Sequence, residues 1–372
     1  MATSIWEHFS TLPDPRVDRT KLHKLEDILT IAICAVICGA ETWVDVADFG
    51  RAKESWLRTF LELPNGIPSH DTFDRVFAAL DAKAFEGCFQ SWVADLVGSS
   101  EGKLIAIDGK SIRRSIDRAS GKAAIHLVSA WVHENHAVFG QIRTEDKSNE
   151  ITAIPKLLEM LNLKQSTVTI DAIGCQKEIA QKVLDRGGQY VLAVKANQGA
   201  LHDDIRTFLD DAIERGFQGL EHDLYERTEK GHGRIETRWC WTTSQIDWLR
   251  NRHDWPGLGS IAVVESRRQI GDQTSTERRY FISSLPARTA QRIGMAVRNH
   301  WCVENELHWS LDVCFGEDHS RARIRNAAEN LSRVRRIALT LLKQERTAKV
   351  GIKAKRLMAG WDEKYLLRVL RI

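Results

Sequence analysis

The spacing of hydrophobic residues changes once along this chain, near residue 103. Before that point, apolar residues recur every three to four positions, which is the spacing of a helix with one buried face. Ser69 precedes one such run and suits an N-cap, because a serine hydroxyl accepts a hydrogen bond from a free backbone amide. We therefore expect an all-helical N-terminal domain over residues 1–98. Its predicted helices are 27–38, 56–63, 70–80 and 83–97.

After residue 103 the pattern becomes that of an α/β domain, in which short apolar runs alternate with helical spacing. The predicted strands are 104–108, 125–132, 136–143, 166–171 and 190–194, and the predicted helices are 149–161, capped by Ser148, and 175–186. Their order is strand, hairpin, helix, strand, helix, strand, which is the plan of a ribonuclease H-like fold. In this plan the ends of the first and fourth strands lie side by side.

A long segment interrupts this plan, because the closing helix begins only near residue 287. The segment contains a predicted helix at 199–214 and β-rich stretches at 235–243, 261–265 and 278–282. We interpret residues from about 216 to 286 as a β-rich insertion before the closing helix. The α/β domain would then span residues 99–345, and residues 346–372 would form a basic C-terminal helical tail.

Composition adds that the chain is an ordinary globular protein, with 372 residues of which 43% are hydrophobic. Its net charge of +3 is uneven, since residues 320–372 carry 15 Lys or Arg against 4 Asp or Glu. This segment could bind a polyanion, or it could be a solvated helix face. Seven dispersed cysteines without a CxxC pair favour a reducing cytoplasm over disulfides or a zinc site. The apolar run 29–40 is too short to span a membrane.

Two of the predicted strands end on an aspartate, Asp108 and Asp171, and the closing helix carries Glu304. Carboxylates held a few Å apart raise one another's pKa unless a cation neutralises them. Oxygen ligands without thiolates favour Mg²⁺ or Mn²⁺. The three residues therefore predict a metal site for phosphodiester chemistry with two ions, bridged by Asp108.

Simpler roles stay open for each carboxylate. An aspartate at the end of a strand often caps a turn, and a glutamate on an amphipathic helix is often a surface residue. Rival carboxylates also follow the closing helix. Glu306 should face away from Glu304, whereas Glu317 and Asp318 come after Gly316 and could cap the next element.

Short motifs are spread over nearly the whole chain. They are DPR at 14–16, GIPSHDTF at 66–73, IDGK at 107–110, KSNE at 147–150, TIDA at 169–172, GCQ at 174–176, VKANQ at 194–198 and WCVEN at 301–305. Together they resemble the H-repeat-associated transposases of bacterial insertion sequences, which belong to the DDE transposases. The resemblance implies a ribonuclease H-like domain with a β-rich insertion before the glutamate helix. It also implies that Asp108, Asp171 and Glu304 form a catalytic triad that uses Mg²⁺.

The resemblance further implies DNA as the partner, both as the element's terminal inverted repeats and as target DNA. A homo-oligomer acting on DNA in the bacterial cytoplasm, associated with the nucleoid and not with a membrane, is the expected setting. The expected reaction is hydrolysis of a phosphodiester at the element end, followed by attack of the freed 3′ hydroxyl on target DNA. A metal-dependent nuclease of the same fold and a catalytically inactive DNA-binding remnant are the alternatives.

The closing helix departs from the wider superfamily, in which a Tyr and an Arg precede the glutamate and a Lys follows it. Val297 and His300 stand seven and four residues before Glu304, and Leu311 stands seven after it. Phosphate contacts, which dominate DNA affinity, should therefore fall to other groups. The candidate DNA-binding residues are Lys110, Lys195, Arg234, Arg298, His300, His308, Arg321 and Arg323. Each could instead be an ordinary exposed side chain.

Overall fold

The computed structural model describes residues 5–116, 121, 123–144, 150–231, 233–250 and 252–371. The predicted cap Ser148, the first three residues of the KSNE motif and His232 in the turn before Arg234 lie outside the described residues. No helix within the described ranges is long and apolar enough to cross a membrane.

Helices occupy the chain up to the first strand, as the spacing predicts. They are α1 Ile5–Phe9, α2 Leu25–Ile37, α3 Trp43–Ala52, α4 Glu54–Leu57, α5 His70–Ala79 and α6 Ala82–Val97. The Ser69 hydroxyl accepts a hydrogen bond from the Thr72 amide at 3.3 Å, which confirms the predicted cap of α5. The helix predicted at 56–63 is wrong beyond Leu57. The chain there turns so that the Leu63 amide reaches the buried carboxylate of Asp27 at 3.2 Å.

Nine strands of the described chain form one mixed sheet in the order β3-β2-β1-β4-β5-β9-β8-β7-β6. They are β1 Leu104–Ser111, β2 His126–Val132, β3 Ala137–Thr144, β4 Thr167–Ile170, β5 Gln189–Val194, β6 Asp223–Gly231, β7 Arg234–Thr243, β8 Ser260–Ile270 and β9 Gln273–Ser283. The intervening helices are α7 Glu150–Glu159, α8 Lys177–Asp185 and α9 Gly199–Glu214. The chain is thus a mixed α/β protein in which β1, β4 and β5 run parallel at the centre.

The predicted β-rich insertion extends this same sheet, because β9 pairs antiparallel with β5. Val194, the last residue of β5, lies opposite Tyr280, so residues 273–279 continue past the end of β5. These seven residues extend about 23 Å at about 3.3 Å per residue. The hairpins β6–β7 and β8–β9 therefore project beyond the edge of the sheet at which β1, β4 and β5 end.

The remaining chain is helical and closes the core. It contains α10 Ala290–Cys302, a π-helical segment Val303–His308, α11 Trp309–Phe315, α12 Ala327–Gln344, α13 Ile352–Trp361 and α14 Glu363–Leu370. α12 is buried along nearly its whole length and packs on α2, α5 and α6. One hydrophobic cluster contains residues from Ile5 to Leu370, so the N-terminal and C-terminal helices share a core.

The basic segment 320–372 requires a correction, because several of its cations lie inside the protein. Arg333, Arg335 and Arg336 are each 1% exposed. Arg333 Nε donates to Glu86 at 2.6 Å, and Arg336 Nη1 donates to Glu317 at 3.1 Å. Lys355 and Arg356 are also buried. Cations that pair with interior carboxylates are not available to DNA, so the net charge of this segment overstates its surface charge.

Candidate active site

Two aspartates meet at the edge of the sheet where the parallel strands end. β1 and β4 are parallel, and Ile107 lies opposite Ile170, so Asp108 and Asp171 occupy the next register position. The Asp171 carboxylate accepts a hydrogen bond from the Ile173 amide at 3.1 Å and thus caps a short 3₁₀ turn with one oxygen. The strand order therefore places the two carboxylates side by side, as expected from the sequence.

Glu304 reaches the same edge from the π-helical segment Val303–His308. Its side chain lines a cavity of about 130 Å³ together with Asp108 and Asp171. One ligand atom each from Asp108, Glu304 and His308 lie within 4.8 Å of one another. The rival Glu306 faces away, as expected, and instead pairs with His136 at 2.9 Å and Lys343 at 3.2 Å.

Burial and neighbouring negative charges raise the pKa of the aspartates at this site, as expected where carboxylates await a cation. Burial raises the pKa of Asp108 to about 7, and the negative charges of Asp171 and Glu304 add to this effect despite a hydrogen bond from the Gly109 amide. Burial also raises the pKa of Asp171, and Glu150 contributes to that rise. A divalent cation would stabilise the ionised form of this cluster. The donor set, which is rich in carboxylate oxygens, fits Mg²⁺ or Mn²⁺.

Glu150 is a fourth carboxylate close to Asp108 and Asp171, and it has no predicted role. It begins α7 and is 5% exposed, and its Oε1 lies 2.5 Å from His126 Nε2. His126 Nδ1 in turn lies 2.8 Å from the Ser111 hydroxyl. Gly109 packs directly against this pair, and a Cβ at that position would collide with both Glu150 and His126. The signal was present in the KSNE motif, which ends at Glu150.

Lys110, a candidate DNA contact, requires a correction. Its ammonium pairs with Asp312 and with Glu317 at 2.9 Å, and Asp318 lies 3.9 Å away. The side chain is only 9% exposed. Lys110 therefore joins β1 to the segment after the Glu304 helix, and its charge is already compensated within the protein. Glu317, a rival carboxylate in the sequence, is fully buried and belongs to this network and not to the metal site.

The two candidate histidines stand four residues before and four residues after Glu304. His300 lines the cavity, and its Nδ1 is 3.1 Å from the Thr169 hydroxyl. His308 is 8% exposed, and its Nδ1 is 3.5 Å from Asp108 Oδ2. Burial lowers the pKa of His300 to about 4 and that of His308 to about 3, with a contribution from Lys110 in the second case. Both imidazoles are therefore neutral at pH 7 and add no positive charge to the site.

Among the other candidate DNA contacts, Lys195 is exposed at the cavity. Arg321 and Arg323 are exposed after α11, whereas Arg298 pairs with Glu229 of β6 at 3.1 Å. Arg234 lies at the tip of the β6–β7 hairpin.

Arg279 is a basic group at the cavity that sequence reasoning missed. Its guanidinium lies 4.4 Å from the centre of the Trp301 ring. Arg279 and Phe281, which also lines the cavity, are two residues apart in β9. Side chains alternate between the two faces of a strand, so residues 279 and 281 share one face, and this spacing was visible in the sequence.

The fold and site define a mixed α/β protein with a cluster of carboxylates at a sheet edge that could hold a metal ion. Comparison with known families identifies it further: residues 73–341 match the transposase DDE domain, and residues 6–93 match the DDE_Tnp_1-associated domain. The chain belongs to the DDE transposase family, whose members are enzymes that cleave DNA and transfer its strands.

Relatives in bacteria support this assignment and confirm the resemblance to H-repeat-associated transposases. The H repeat-associated putative transposase YhhI of Escherichia coli is 42% identical over 371 residues, which cover 98% of this chain and 97% of YhhI. An uncharacterized protein in the dhlA 3′ region of Xanthobacter autotrophicus is 51% identical over 281 residues, covering 75% of this chain and 94% of that protein. The structure of a piggyBac transposase synaptic complex with hairpin DNA aligns with a TM-score of 0.44 and 11% identity, covering 98% of this chain and 76% of that chain, too distant to establish a common fold.

Proposed function

We propose that this protein is the transposase of a bacterial insertion sequence, with a ribonuclease H-like catalytic core in residues 99–345. It cleaves the phosphodiester bonds at the ends of its element and joins the freed ends to target DNA. Asp108, Asp171 and Glu304 are its catalytic and metal-binding residues. The observation that carries this proposal is the register of β1 and β4, which sets two aspartates side by side, with Glu304 lining the same cavity.

The surrounding side chains support the roles of the three carboxylates. Two Mg²⁺ ions, or Mn²⁺ ions, would activate the attacking oxygen and stabilise the leaving oxygen when bound. The Gly109 amide donates to Asp108 Oδ1 at 2.9 Å, which leaves Oδ2 facing His308 at 3.5 Å. In the same way the Ile173 amide fixes one oxygen of Asp171. Rigid strands and these backbone bonds hold the ligands in place before metal binds.

The DNA would lie across the edge of the sheet that carries Asp108 and Asp171, and along the β6–β7 and β8–β9 hairpins. Lys195 is exposed at the cavity, where it can neutralise a phosphate next to the scissile bond, and Arg279, which pairs with Glu277 at 2.7 Å, lines the same cavity. Arg267 and Arg268 are exposed in the part of β8 that projects past the site. We assign target DNA and the terminal inverted repeats to this surface. We place the reaction at nucleoid DNA in the cytoplasm, with the enzyme acting as a homo-oligomer.

The test is a cleavage and joining reaction with purified full-length protein, Mg²⁺ and DNA carrying the terminal repeats of the element. We expect Asp108→Asn, Asp171→Asn and Glu304→Gln each to lose at least about 100-fold in both steps, because several kcal/mol of charge stabilisation disappear. Glu159→Gln, which removes an exposed carboxylate at the end of α7, is the control.

The outcomes separate the alternatives. Cleavage without joined products in the wild type would indicate a nuclease of the same fold. DNA binding without cleavage would indicate an inactive remnant. Full joining activity in Glu304→Gln would contradict the choice of the third carboxylate.

A further inference from the structure

His308 is a buried imidazole whose nitrogens have no assigned use. Its Nδ1 is 3.5 Å from Asp108 Oδ2, which is longer than a good hydrogen bond. Its Nε2 is buried and has no hydrogen-bond partner among the described residues. The residue is 8% exposed, so water does not readily satisfy these atoms. Buried polar nitrogens are normally paired. Nδ1 is the nitrogen that faces the carboxylate cluster, and its long contact with Asp108 leaves it able to bind an ion.

The position of the ring is suited to metal coordination. The ligand atoms of Asp108, Glu304 and His308 lie within 4.8 Å of one another. Ligands around a six-coordinate Mg²⁺ or Mn²⁺ are about 3 to 4.2 Å apart, because each lies about 2.1 Å from the ion. Closing the three groups onto one ion therefore needs side-chain shifts of less than about 1 Å, which ordinary rotamer adjustment provides.

The local backbone brings Glu304 and His308 to the same strand. The segment Val303–His308 is π-helical, and the Trp309 amide donates to the Glu304 carbonyl five residues back. π-helical turns inside α-helices occur frequently at functional sites. This segment contacts β1, which carries Asp108, so both side chains approach the aspartate from one side.

The alternative imidazole, His300, is placed differently. It also lines the cavity, four residues before Glu304, but its Nδ1 is engaged with the Thr169 hydroxyl at 3.1 Å. It does not belong to the group of atoms that can meet at one ion. Of His300 and His308, therefore, only His308 is positioned as a ligand among the described residues.

We propose that His308 is a protein ligand of the ion held by Asp108 and Glu304, bound through Nδ1. This inference rests on the proposed function, because it adds a ligand to the metal centre of the transposase. One of the two ions then has a mixed oxygen and nitrogen shell. An imidazole ligand suits a transition metal better than Mg²⁺, so this position should prefer Mn²⁺.

The experiment measures Mn²⁺ binding to the full-length protein by electron paramagnetic resonance, without DNA and independently of activity. Electron spin echo modulation reports nitrogen bound directly to Mn²⁺. We expect a histidine ¹⁴N signal in the wild type that changes when histidine is labelled with ¹⁵N. The signal should disappear in His308→Gln and persist in the matched control His300→Gln. Mn²⁺ affinity should fall at least about tenfold in His308→Gln. His308→Asp, which restores an oxygen ligand, should recover affinity without the nitrogen signal.

The results distinguish failure of this inference from failure of the proposed function. Tight Mn²⁺ binding without a histidine signal would overturn the role of His308 and leave the carboxylate site intact. A signal that disappears in His300→Gln would also overturn it. Absence of Mn²⁺ binding to the wild type would overturn the inference together with the metal site. If His308→Gln does not fold, His308→Asp decides the question, because Mn²⁺ that stays bound while the histidine signal disappears identifies His308 as the nitrogen ligand.

Discussion

Glu317 provides the sharpest test of how the fold holds its active site. This glutamate is 0% exposed and accepts hydrogen bonds from Ser332 at 2.6 Å, Arg336 at 3.1 Å and Lys110 at 2.9 Å. Arg336 is also buried, and its Nε and Nη2 have no hydrogen-bond partner within the described chain. Glu317 is thus the carboxylate that compensates a buried guanidinium, and it also binds the lysine two residues after Asp108.

The perturbation is Glu317→Gln, which keeps the shape of the side chain and removes its charge. Removing one partner of a buried ion pair costs about 3 to 5 kcal/mol, because the remaining charge stays buried without compensation. Lys110 retains Asp312, whereas Arg336 loses its carboxylate. We therefore expect the free energy of unfolding to fall by about 3 to 5 kcal/mol, a large part of the about 5 to 15 kcal/mol typical of a domain.

The assay is urea denaturation followed by circular dichroism, with Asp318→Asn as the control. Asp318 is partly exposed and pairs with Arg113, which is 84% exposed, so its loss should cost less than about 1 kcal/mol. A change below about 1 kcal/mol in Glu317→Gln would refute the argument that this buried pair is essential.

The same network predicts the pH dependence of stability. Burial by itself would raise the pKa of Glu317, but Arg336 and Lys110 outweigh it, so the pKa in the folded protein lies well below the ordinary value of 4.5. The unfolded chain binds the proton more readily, so this stabilisation is present above about pH 4.5 and is lost as the pH falls below it. Between pH 5 and pH 3, the wild type should therefore lose more stability than Glu317→Gln.

Three further predictions concern other parts of the molecule. Gly109→Ala should abolish DNA joining and lower stability, because its Cβ collides with Glu150 and His126, and an alanine variant with normal joining would contradict this packing. Gly87→Ala, at an open position within α6, should instead raise the free energy of unfolding by about 0.5 to 1 kcal/mol in urea titrations. The double variant Arg267→Ala and Arg268→Ala should weaken DNA binding and reduce the slope of log affinity against log salt by up to about 2. The control for that fluorescence titration is Lys164→Ala at the opposite edge of the sheet, and an unchanged slope in the double variant would exclude the hairpin as a DNA contact.

Helices and strands with a clear periodic spacing of hydrophobic residues could be predicted from sequence. The helix predicted at 199–214 is observed as Gly199–Glu214, and the order of strands was enough to bring Asp108 and Asp171 together. α3 was missed because small residues, Ala47 and Gly50, form much of its buried face, although Thr42 and Asp45 form a capping box. β6 was missed because it is an exposed edge strand with charged residues at most positions.

Charge could not be interpreted from composition, because a sequence does not show which cations are paired. The net charge of the C-terminal segment includes Arg333, Arg335 and Arg336 just as it would include arginines of an exposed DNA-binding patch. Each of the three is only 1% exposed. The apolar residues that follow them, from Ile337 to Leu342 with Thr340 as the exception, were the available signal, since a helix that is apolar on all sides is buried. The π-helical turn at Val303–His308 has no comparable signal in the local sequence.

The placement of Lys110 explains why the acidic cluster remains available for a cation. A lysine two residues after Asp108 on the same strand would ordinarily be expected to neutralise neighbouring carboxylates. Its ammonium is instead held by Asp312 and Glu317. The charge of Asp108 is left uncompensated by this lysine, and burial and Asp171 keep the pKa of Asp108 near 7. Asp312 and Glu317 thus hold the Lys110 ammonium. Asp108, Asp171 and Glu304 remain available to a metal ion. In a Glu317 variant Lys110 keeps Asp312 and the more distant Asp318, so it is held less firmly and should compete more strongly with the ion for Asp108.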